Sequence, residues 1–156
     1  EALGNRVQLK KYTDYGLRVL IYLAAAEPDE RATINDLSSV FSVSKNHLNK
    51  VVHHLGKLGL IKTWRGKGGG FSLAVDARHT RLDTVIRQLE GDEDWIDCLN
   101  PTCKIYSVCD LKGIIHAGKE QFYSYLAKYT IASLVERPEE IKVRWHIDTQ
   151  ELNDES

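Results

Sequence analysis

Three cysteines are the residues of this sequence whose type and spacing are best suited to chemistry. Cys98, Cys103 and Cys109 follow the spacing C-x4-C-x5-C within twelve residues. Thiolates are preferred ligands of iron–sulfur clusters and of zinc. Structural zinc sites usually close with four Cys or His ligands, commonly in CxxC pairs, and this spacing is too wide for that pattern. The residues therefore favour an iron–sulfur cluster, with zinc and free or redox-active thiols as the alternatives.

Three cysteines leave one coordination position of such a centre for another ligand. An oxygen ligand matches a cluster iron less well than a thiolate, so that iron would stay exchangeable and open to a small molecule. Asp14 is a distant candidate, because a dimer that places the first helix over the partner's cysteine loop would allow ligation between subunits. For each acid, a helix cap or a solvated charge is the competing interpretation. The local candidates are Glu90, Asp94, Asp97 and Asp110.

No catalytic signature accompanies the cysteines. The sequence contains no nucleophile–base pair with a known signature and no HExxH motif, and its six histidines are scattered. We therefore expect that the chain is not an enzyme. An odd number of clustered cysteines also argues against a disulfide framework. A metal-free repressor that senses redox state through a disulfide or a sulfenic acid at these cysteines remains an alternative.

The pattern of capping and apolar residues over 33–58 predicts the two helices of a helix-turn-helix. Thr33 is a suitable N-cap for the first helix, Ser42 and Val43 form the turn, and Ser44 caps the second helix. The second helix is apolar on one side and carries amides and lysines on the other. We therefore expect its first turns to contact base edges and phosphates in the major groove. The predicted DNA-binding residues of this helix are Ser44, Lys45, Asn46, His47, Asn49 and Lys50.

A β-hairpin follows directly, with strands predicted at 60–65 and 71–75 around the glycine-rich turn GKGGG at 66–70. After a recognition helix such a hairpin is the wing, whose cations can enter the negative potential of a narrow minor groove. A nucleotide-binding loop is the competing interpretation, but the glycines lack the Walker spacing and no Lys-Ser/Thr pair follows. The wing residues predicted to contact DNA are Arg65, Lys67, Gly68 and Gly69.

The distribution of charge supports a nucleic-acid partner, although the net charge of the chain is only −1. Residues 41–81 carry eight Lys and Arg against one Asp, which gives +7, and the other 13 bases and 21 acids give −8. A basic block that coincides with a helix-turn-helix is the electrostatic footprint of phosphate binding. No apolar run reaches the ~18 residues of a membrane span and no signal peptide is apparent, so we expect a cytoplasmic protein without membrane contact.

Apolar periodicity predicts three further helices, a first one at 12–26, a short one at 82–89 and a long one at 111–129, while 91–110 has no helical period. The long helix has a heptad seam, which favours pairing with a second copy of the chain over a simple core helix. The seam residues are Leu111, Ile115, Gly118, Phe122, Tyr125 and Tyr129.

The predicted fold is mainly α with a small β-hairpin, a winged helix-turn-helix followed by a long dimerisation helix. Residues 7–80 form the DNA-binding domain, and 81–136 form the cluster-binding loop and the dimerisation helix. Residues 137–156 are predicted to be a flexible C-terminal tail, because their pattern is weak and 148–156 contain four acids and no bases.

Three segments together resemble the NsrR-like nitric-oxide-sensing repressors, a group within the iron–sulfur winged-helix regulator family that includes IscR. They are residues 12–18 (YTDYGLR), the wing at 65–70 (RGKGGG) and the three-cysteine loop, and the resemblance runs over 7–136. IscR-like proteins place a histidine three residues after the last cysteine, where this chain has Lys112, and this difference argues against an IscR-like site. His116 is expected to be a helix-surface residue and not a ligand.

The resemblance implies a repressor that binds pseudo-palindromic operator DNA as a homodimer with one cluster per subunit, commonly [4Fe–4S] and less often [2Fe–2S]. It implies that the ligands are Cys98, Cys103 and Cys109 with Asp14 of the partner subunit. Nitric oxide would attack the cluster, DNA affinity would fall and nitrosative-stress genes would be derepressed. An iron- or redox-responsive regulator of the same family is the alternative.

Overall fold

The structure is a computed structural model that describes residues 8–145. Within this range the chain forms six α-helices, one two-stranded antiparallel hairpin and one short 3₁₀ helix, which confirms a mainly α fold with a small β-hairpin. The elements, in chain order, are α1 (Lys11–Ala25), α2 (Ile34–Phe41), α3 (Lys45–Lys57), β1 (Ile61–Trp64), β2 (Gly70–Leu73), α4 (Leu82–Glu90), α5 (Leu111–Leu126), the 3₁₀ helix (Ile131–Leu134) and α6 (Pro138–Trp145).

Local side-chain chemistry starts both helices of the helix-turn-helix. The Thr33 hydroxyl accepts a hydrogen bond from the Asp36 amide at 3.2 Å, and the Asp36 carboxylate accepts one from the Thr33 amide at 2.8 Å. This capping box satisfies two amides that a helix start would otherwise leave unpaired. Ser42 ends α2 in the left-handed conformation (φ 54°), and the Ser44 hydroxyl accepts from the His47 amide at 3.2 Å to begin α3. Both predicted caps are confirmed.

A single cluster of apolar side chains joins α1, the helix-turn-helix, α4 and α5. Leu20 of α1, Leu48 and Leu55 of α3 and Val85 of α4 are completely buried in it, and Tyr123 of α5 packs on the same cluster. Burying an aliphatic side chain of this size contributes about 1.5–3 kcal/mol. Residues on both sides of position 80 therefore share one hydrophobic core.

Reciprocal contacts between Lys10 and Glu90 connect the start of α1 to the end of α4. The Glu90 carboxylate accepts hydrogen bonds from the Lys10 amide at 3.2 Å and from the hydroxyl of buried Thr13. In return the Lys10 ammonium donates to the Glu90 carbonyl at 2.8 Å. A carboxylate at a helix N-terminus and an ammonium at a helix C-terminus both complement the helix dipole. The beginning of α1 is thus tied to the residue that directly precedes the cysteine loop.

The prediction of a flexible tail is wrong for residues 138–145, which form α6. The Trp145 ring stacks on Tyr22 with centroids 6.1 Å apart and meets Phe41 edge-on at 5.3 Å. The Lys142 side chain is buried and its ammonium contacts the Glu27 carboxylate. Tertiary contacts with α1 and α2 hold a segment whose own apolar pattern is weak. Residues 146–156 of the predicted tail lie outside the described residues.

Helix α5 ends at Leu126, three residues before the predicted end of the long helix. Lys119 and Tyr123 are its buried residues, whereas Leu111, Ile114 and Tyr125 are exposed. An exposed row of large apolar side chains on one helix is typical of a surface that another chain covers. In the described residues, no helix combines the length and apolarity needed to cross a bilayer.

Candidate DNA interface and cysteine loop

The outer face of α3 carries four of the ten residues predicted to contact DNA. Lys45, Asn46, Asn49 and Lys50 are exposed on it, and Ser44 is exposed at its N-terminus. The opposite face is anchored in the core by Leu48, Val51, Val52 and Leu55. Because these buried residues fix the rotation of the helix about its axis, the polar residues are held outwards, as a recognition helix requires.

His47 is the predicted DNA-binding residue whose side chain the structure places against α1. Its ring meets Tyr15 at a centroid distance of 5.1 Å and an interplanar angle of 84°. The His54 and Tyr12 ring centroids are 5.3 Å apart, and the Tyr12 hydroxyl donates to the Lys50 carbonyl at 3.4 Å. Edge-to-face rings at this distance attract each other through their quadrupoles. The first turns of α1 and the recognition helix are therefore in direct side-chain contact.

The wing is a short hairpin whose tip depends on glycine. Strands β1 and β2 pair in register from Ile61 with Leu73 to Trp64 with Gly70. A Cβ atom on Gly69 would lie 2.5 Å from the Trp64 carbonyl oxygen, so no other residue fits there without a backbone shift. Arg65, Lys67 and Gly68 are exposed at the tip. The predicted wing cations are thus on a compact, solvent-facing turn.

A third segment, which the sequence did not indicate, attaches the wing to the helix-turn-helix. Ala32 pairs with Phe71 through two backbone hydrogen bonds of 3.0 and 2.7 Å. The Arg31 guanidinium donates to the Gly68 carbonyl at 3.1 Å and lies 3.9 Å from the centroid of the Trp64 ring. Arg31 is 37 residues away from Gly68 in sequence. In the sequence, only Trp64, the aromatic residue beside the wing turn, could have suggested that a cation contacts the wing.

The cysteine loop, residues 91–110, contains neither a helix nor a strand of the sheet. Cys103 is exposed, and Cys98 and Cys109 are half-buried unpaired thiols. The Cys103 amide donates to the Cys98 carbonyl at 2.8 Å, and the Cys109 sulfur accepts from the Leu111 amide at 3.4 Å. Within residues 8–145, no three Cys, His, Asp or Glu side chains of the chain are grouped closely enough to hold a metal ion.

The acidic candidates near the loop have different environments. Asp94 pairs with Lys112 at 2.9 Å, and this hydrogen bond holds the pKa of the Asp94 carboxyl below its ordinary value. Asp97 accepts from the Leu99 and Asn100 amides at 2.9 and 3.0 Å, and these bonds likewise lower its pKa. Glu90 caps α1, as described above, whereas Asp110 directly precedes α5. Asp94, Asp97 and Glu90 therefore already have hydrogen-bond partners within the chain.

Asp14 faces solvent near the start of α1. Its carboxylate accepts two hydrogen bonds from Arg18, one turn later, at 2.7 and 3.3 Å, and both side chains are about half exposed. No described group of three potential metal ligands includes it. An exposed ion pair of this kind contributes little to stability, at most about 1 kcal/mol. The carboxylate is thus available to a group outside its own chain.

Comparison with known proteins identifies the family. The Rrf2 model, described as an iron-dependent transcriptional regulator, matches residues 9–137. The chain belongs to the Rrf2 family. It is 40% identical to the HTH-type transcriptional regulator NsrR of Bacillus subtilis over 138 residues, covering 86% of this chain and 94% of that protein. It is 34% identical to NsrR of Shouchella clausii over 148 residues, covering 93% and 99%.

Solved structures of Rrf2-type regulators have the same fold. CymR of Staphylococcus aureus superposes with a TM-score of 0.66 at 26% identity, covering 81% of this chain and 97% of that one. T. potens IscR superposes with a TM-score of 0.67 at 23% identity, covering 91% and 94%. This Rrf2 chain is therefore an NsrR-like transcriptional regulator with a winged helix-turn-helix, and DNA binding is implied by that role.

The donor set of this Rrf2 chain fits an iron–sulfur cluster in its chemistry. Cys98, Cys103 and Cys109 are three unpaired thiols on one irregular loop, and soft thiolates are the ligands that such clusters prefer. Lys112 lies on α5 and pairs with Asp94, so the position where an IscR-like histidine would stand holds a cation with no ligating ability. His116 is exposed on α5, where the sequence predicted a surface residue.

Proposed function

We propose that this protein is an iron–sulfur repressor that binds pseudo-palindromic operator DNA as a homodimer and is released when nitric oxide reacts with its cluster. The observation that carries the proposal is the position of the three unpaired thiols. They lie on the loop between α4, which packs on the DNA-binding core, and α5, whose outer face is exposed and apolar. The NsrR name of several relatives supports the same class of regulator.

Cys98, Cys103, Cys109 and Asp14 of the partner subunit would hold the cluster, of which [4Fe–4S] is favoured over [2Fe–2S]. When bound, such a cluster supplies irons that react with nitric oxide. Two properties of Asp14 support the proposal that it binds the partner's cluster: its carboxylate is half exposed, and its ion pair with Arg18 is weak. Exchanging that ion pair for a metal bond costs little free energy. A carboxylate ligand would also leave one coordination position easier to displace than a thiolate would.

The exposed apolar residues of α5 support a homodimer. Leu111, Ile114 and Tyr125 lie on its outer face and would be covered by the same helix of a second copy. A two-fold dimer presents two recognition helices and two wings, and it reads half-sites about one helical turn of DNA, or a multiple of one turn, apart.

Each subunit would contact DNA at two places. We expect Ser44, Lys45, Asn46, Asn49 and Lys50 of α3 to meet base edges and phosphates in the major groove. Arg65, Lys67 and the glycine backbone of the wing would meet the minor groove, where narrow segments attract cations. His47 packs on Tyr15, so we expect its contribution to be the orientation of α3 together with at most one edge contact to DNA.

The contacts of α1 offer a route by which the loop can influence the recognition helix. Glu90, the residue directly before the loop, holds Lys10 and Thr13 at the start of α1. The same turns of α1 reach α3 through the Tyr15–His47 contact. A change in the loop or at Asp14 would therefore move or release α3 relative to its partner copy. Such coupling typically amounts to about 1–3 kcal/mol.

The proposal is tested by titrating anaerobically purified protein with nitric oxide while absorbance and DNA binding are recorded together. We expect a brown protein that contains iron and sulfide, absorbs near ~400 nm and loses both its colour and its DNA affinity in parallel. Cys103→Ser is the control, which should bind no cluster and give no response. Protein that takes up no iron and sulfide, yet releases DNA on exposure to nitric oxide, would refute the cluster as the sensor.

A metal-free thiol sensor is the second candidate, because Cys103 is exposed and all three thiols are unpaired. A peroxide would oxidise one thiol to a sulfenic acid, and attack by a neighbouring thiol with loss of water would form a disulfide that constrains the same loop. An iron-responsive regulator of the same family is the other alternative. The iron and sulfide content of the protein separates the metal-free thiol sensor from the cluster proposal. A DNA affinity that follows iron supply without nitric oxide would favour the iron-responsive regulator.

A further inference from the structure

We propose that Arg31 is a positioning residue of the DNA interface, which fixes the tip of the wing relative to the recognition helix. This inference rests on the DNA-binding part of the proposed function and does not depend on the cluster. From a position outside the hairpin, the Arg31 side chain contacts both the Trp64 ring and the backbone of the wing tip. The wing glycines and cations alone gave no indication of it.

The Arg31 guanidinium makes two contacts with the wing at once. It donates to the Gly68 carbonyl at 3.1 Å and lies over the Trp64 ring at 3.9 Å from the centroid. The Trp64 ring is itself held, because its indole N–H donates to the Ser72 hydroxyl at 2.8 Å on the paired strand. Lys62 adds a second cation, 4.1 Å from the same centroid. The ring is therefore a fixed platform on which Arg31 rests.

The wing needs such a contact because its own structure is weak. Its two strands have four residues each, and an isolated hairpin of this size is marginally stable in water. Gly66 and Gly68 have positive φ values, and glycine loses more backbone entropy on ordering than any other residue. Without an external contact, the tip with Lys67 would sample many orientations, and DNA binding would have to supply the ordering free energy.

Segment 31–33 connects the wing to the helix-turn-helix in three consecutive residues. Arg31 holds the tip, Ala32 pairs with Phe71, and Thr33 caps α2. The backbone at Gly70 approaches so closely that a Cβ atom there would lie 2.5 Å from the Ala32 carbonyl oxygen. The distance between the wing tip and α3 is thus set through segment 31–33 and α2. Within this segment, Arg31 is the residue that reaches the wing tip, at Gly68.

The proposal requires arginine and not merely a positive charge. A guanidinium is planar, so it can stack on an aromatic face and donate in its own plane at the same time. A lysine ammonium is a point charge that can satisfy one of these contacts but not both in the same geometry. Arg31→Lys therefore separates positioning from simple phosphate attraction.

The first test measures DNA affinity with a duplex that the full-length unmutated protein, purified anaerobically with its iron and sulfide retained, selects from a random-sequence library. We expect Arg31→Ala and Arg31→Lys both to lower affinity by about tenfold, a decrease consistent with removing one cation–π contact and one charge-assisted hydrogen bond. The salt dependence of Arg31→Lys should match that of the unmutated chain, because the charge remains. Arg137→Ala, an exposed arginine of the 3₁₀–α6 region, is the matched control and should leave affinity unchanged.

The second test uses the free protein and needs no DNA. Amide hydrogen exchange at residues 66–71 should be faster in Arg31→Ala and in Arg31→Lys, while exchange in α3 stays unchanged. Trp64→Leu should weaken DNA binding to a similar extent, and adding Arg31→Ala to it should have little further effect.

Three results would overturn the inference: full rescue of affinity by Arg31→Lys, unchanged exchange at the wing tip, or additive effects of the two substitutions. Anaerobically purified, unmutated protein that retains iron and sulfide but selects no duplex would instead refute the DNA-binding function itself. The exchange measurement would still decide whether Arg31 holds the wing.

Discussion

The DNA-reading head and the cysteine loop differ in how much of their structure one chain supplies. In the head, caps, a buried core and backbone pairing all come from the same chain, from Thr33 through the wing. In the loop, the three thiols are unpaired, and within residues 8–145 they belong to no group of three potential metal ligands. The structure of the head is therefore fixed by contacts within the described residues 8–145, whereas these residues do not bring the three thiols together with a fourth potential ligand.

Under the proposed function, this difference would allow the regulator to respond to a signal at the loop. The head is packed into the shared hydrophobic core and keeps its structure, whereas a loop without a core of its own can change state at low cost. Specific polar contacts hold the N-terminal end of the loop, among them Lys10 with Glu90, which ties α4 to the start of α1, and Asp92 with Lys119, which ties the loop to α5. We expect substitutions to affect stability, cofactor retention and DNA binding separately, according to the region in which they lie.

The largest expected effect is on folding of the head. Leu48 is completely buried in α3, so Leu48→Ala should lower the free energy of unfolding by about 2–5 kcal/mol through reduced burial and a residual cavity. Cys103→Ser, in the exposed part of the loop, should change it by no more than about 0.5 kcal/mol. Both are measured by urea denaturation of the metal-free protein. A cost above about 1 kcal/mol for Cys103→Ser would mean that the loop is packed more tightly than its exposure indicates.

The next effect concerns retention of the cluster. Asp14→Ala should make loss of iron in the presence of a chelator about tenfold faster, because the proposed fourth ligand is removed from both subunits. Asp94→Ala is the matched control, since Asp94 was a local candidate in the sequence, but its carboxylate pairs with Lys112 and it is not among the four ligands proposed above. Absorbance near ~400 nm follows the release of iron. Identical spectra and rates for Asp14→Ala and the unmutated protein would exclude Asp14 as a ligand.

A smaller effect is expected from single cations. Lys67→Ala should lower DNA affinity several-fold at about 0.1 M salt and reduce the slope of log affinity against log salt by about 1 for each phosphate that the wing no longer binds, about 2 for a dimer. Lys104→Ala removes the same charge from the cysteine loop and should leave the slope unchanged. Binding isotherms over a series of salt concentrations measure both. An unchanged slope for Lys67→Ala would contradict the wing contact.

The head could be predicted from the sequence because its signals are local. Thr33 and Ser44 cap helices through bonds to residues three positions away, and the glycines of 66–70 mark a turn. Helix α6 was missed because its place depends on Trp145 meeting Tyr22 and Phe41, which are distant in sequence. The role of Arg31 was missed for the same reason, because Gly68 and Trp64, which it contacts, are distant in sequence.

The candidate site was predictable in its residue types but not in its assembly. The pattern of Cys98, Cys103 and Cys109 indicates which chemistry is available, and the absence of apolar periodicity correctly predicted an irregular loop. In the proposed function the thiols converge on a cofactor with help from a second subunit, and neither of these is encoded as a local pattern. Glu90 illustrates the limit: as a candidate ligand it looked equivalent to Asp94, yet its carboxylate caps α1.

Asp92 lies at the junction of α4, the cysteine loop and α5 and gives the smallest predicted effect. Its carboxylate accepts hydrogen bonds from Arg87 of α4 at 2.7 Å and from Lys119 of α5 at 3.1 Å. The Arg87 bond first, and then the Lys119 bond, hold the pKa of Asp92 below its ordinary value. Lys119 is itself buried, so it depends on this carboxylate and on the Glu93 carbonyl for its hydrogen bonds.

Because the pKa of Asp92 is lowered in the folded state, the sign of its effect on stability as a function of pH is known. The contribution of Asp92 to stability is complete above its unfolded-state pKa of about 3.9 and disappears as the pH falls through the lower folded-state value. The thermal midpoint of the unmutated protein should therefore exceed that of Asp92→Asn near neutral pH, and the gap should close as the pH is lowered towards about 2. The effect is small because the carboxylate is largely exposed, and added salt should reduce it further. A gap that stayed constant across this range would mean that the junction is held by packing of α4 on α5 and not by the charge of Asp92.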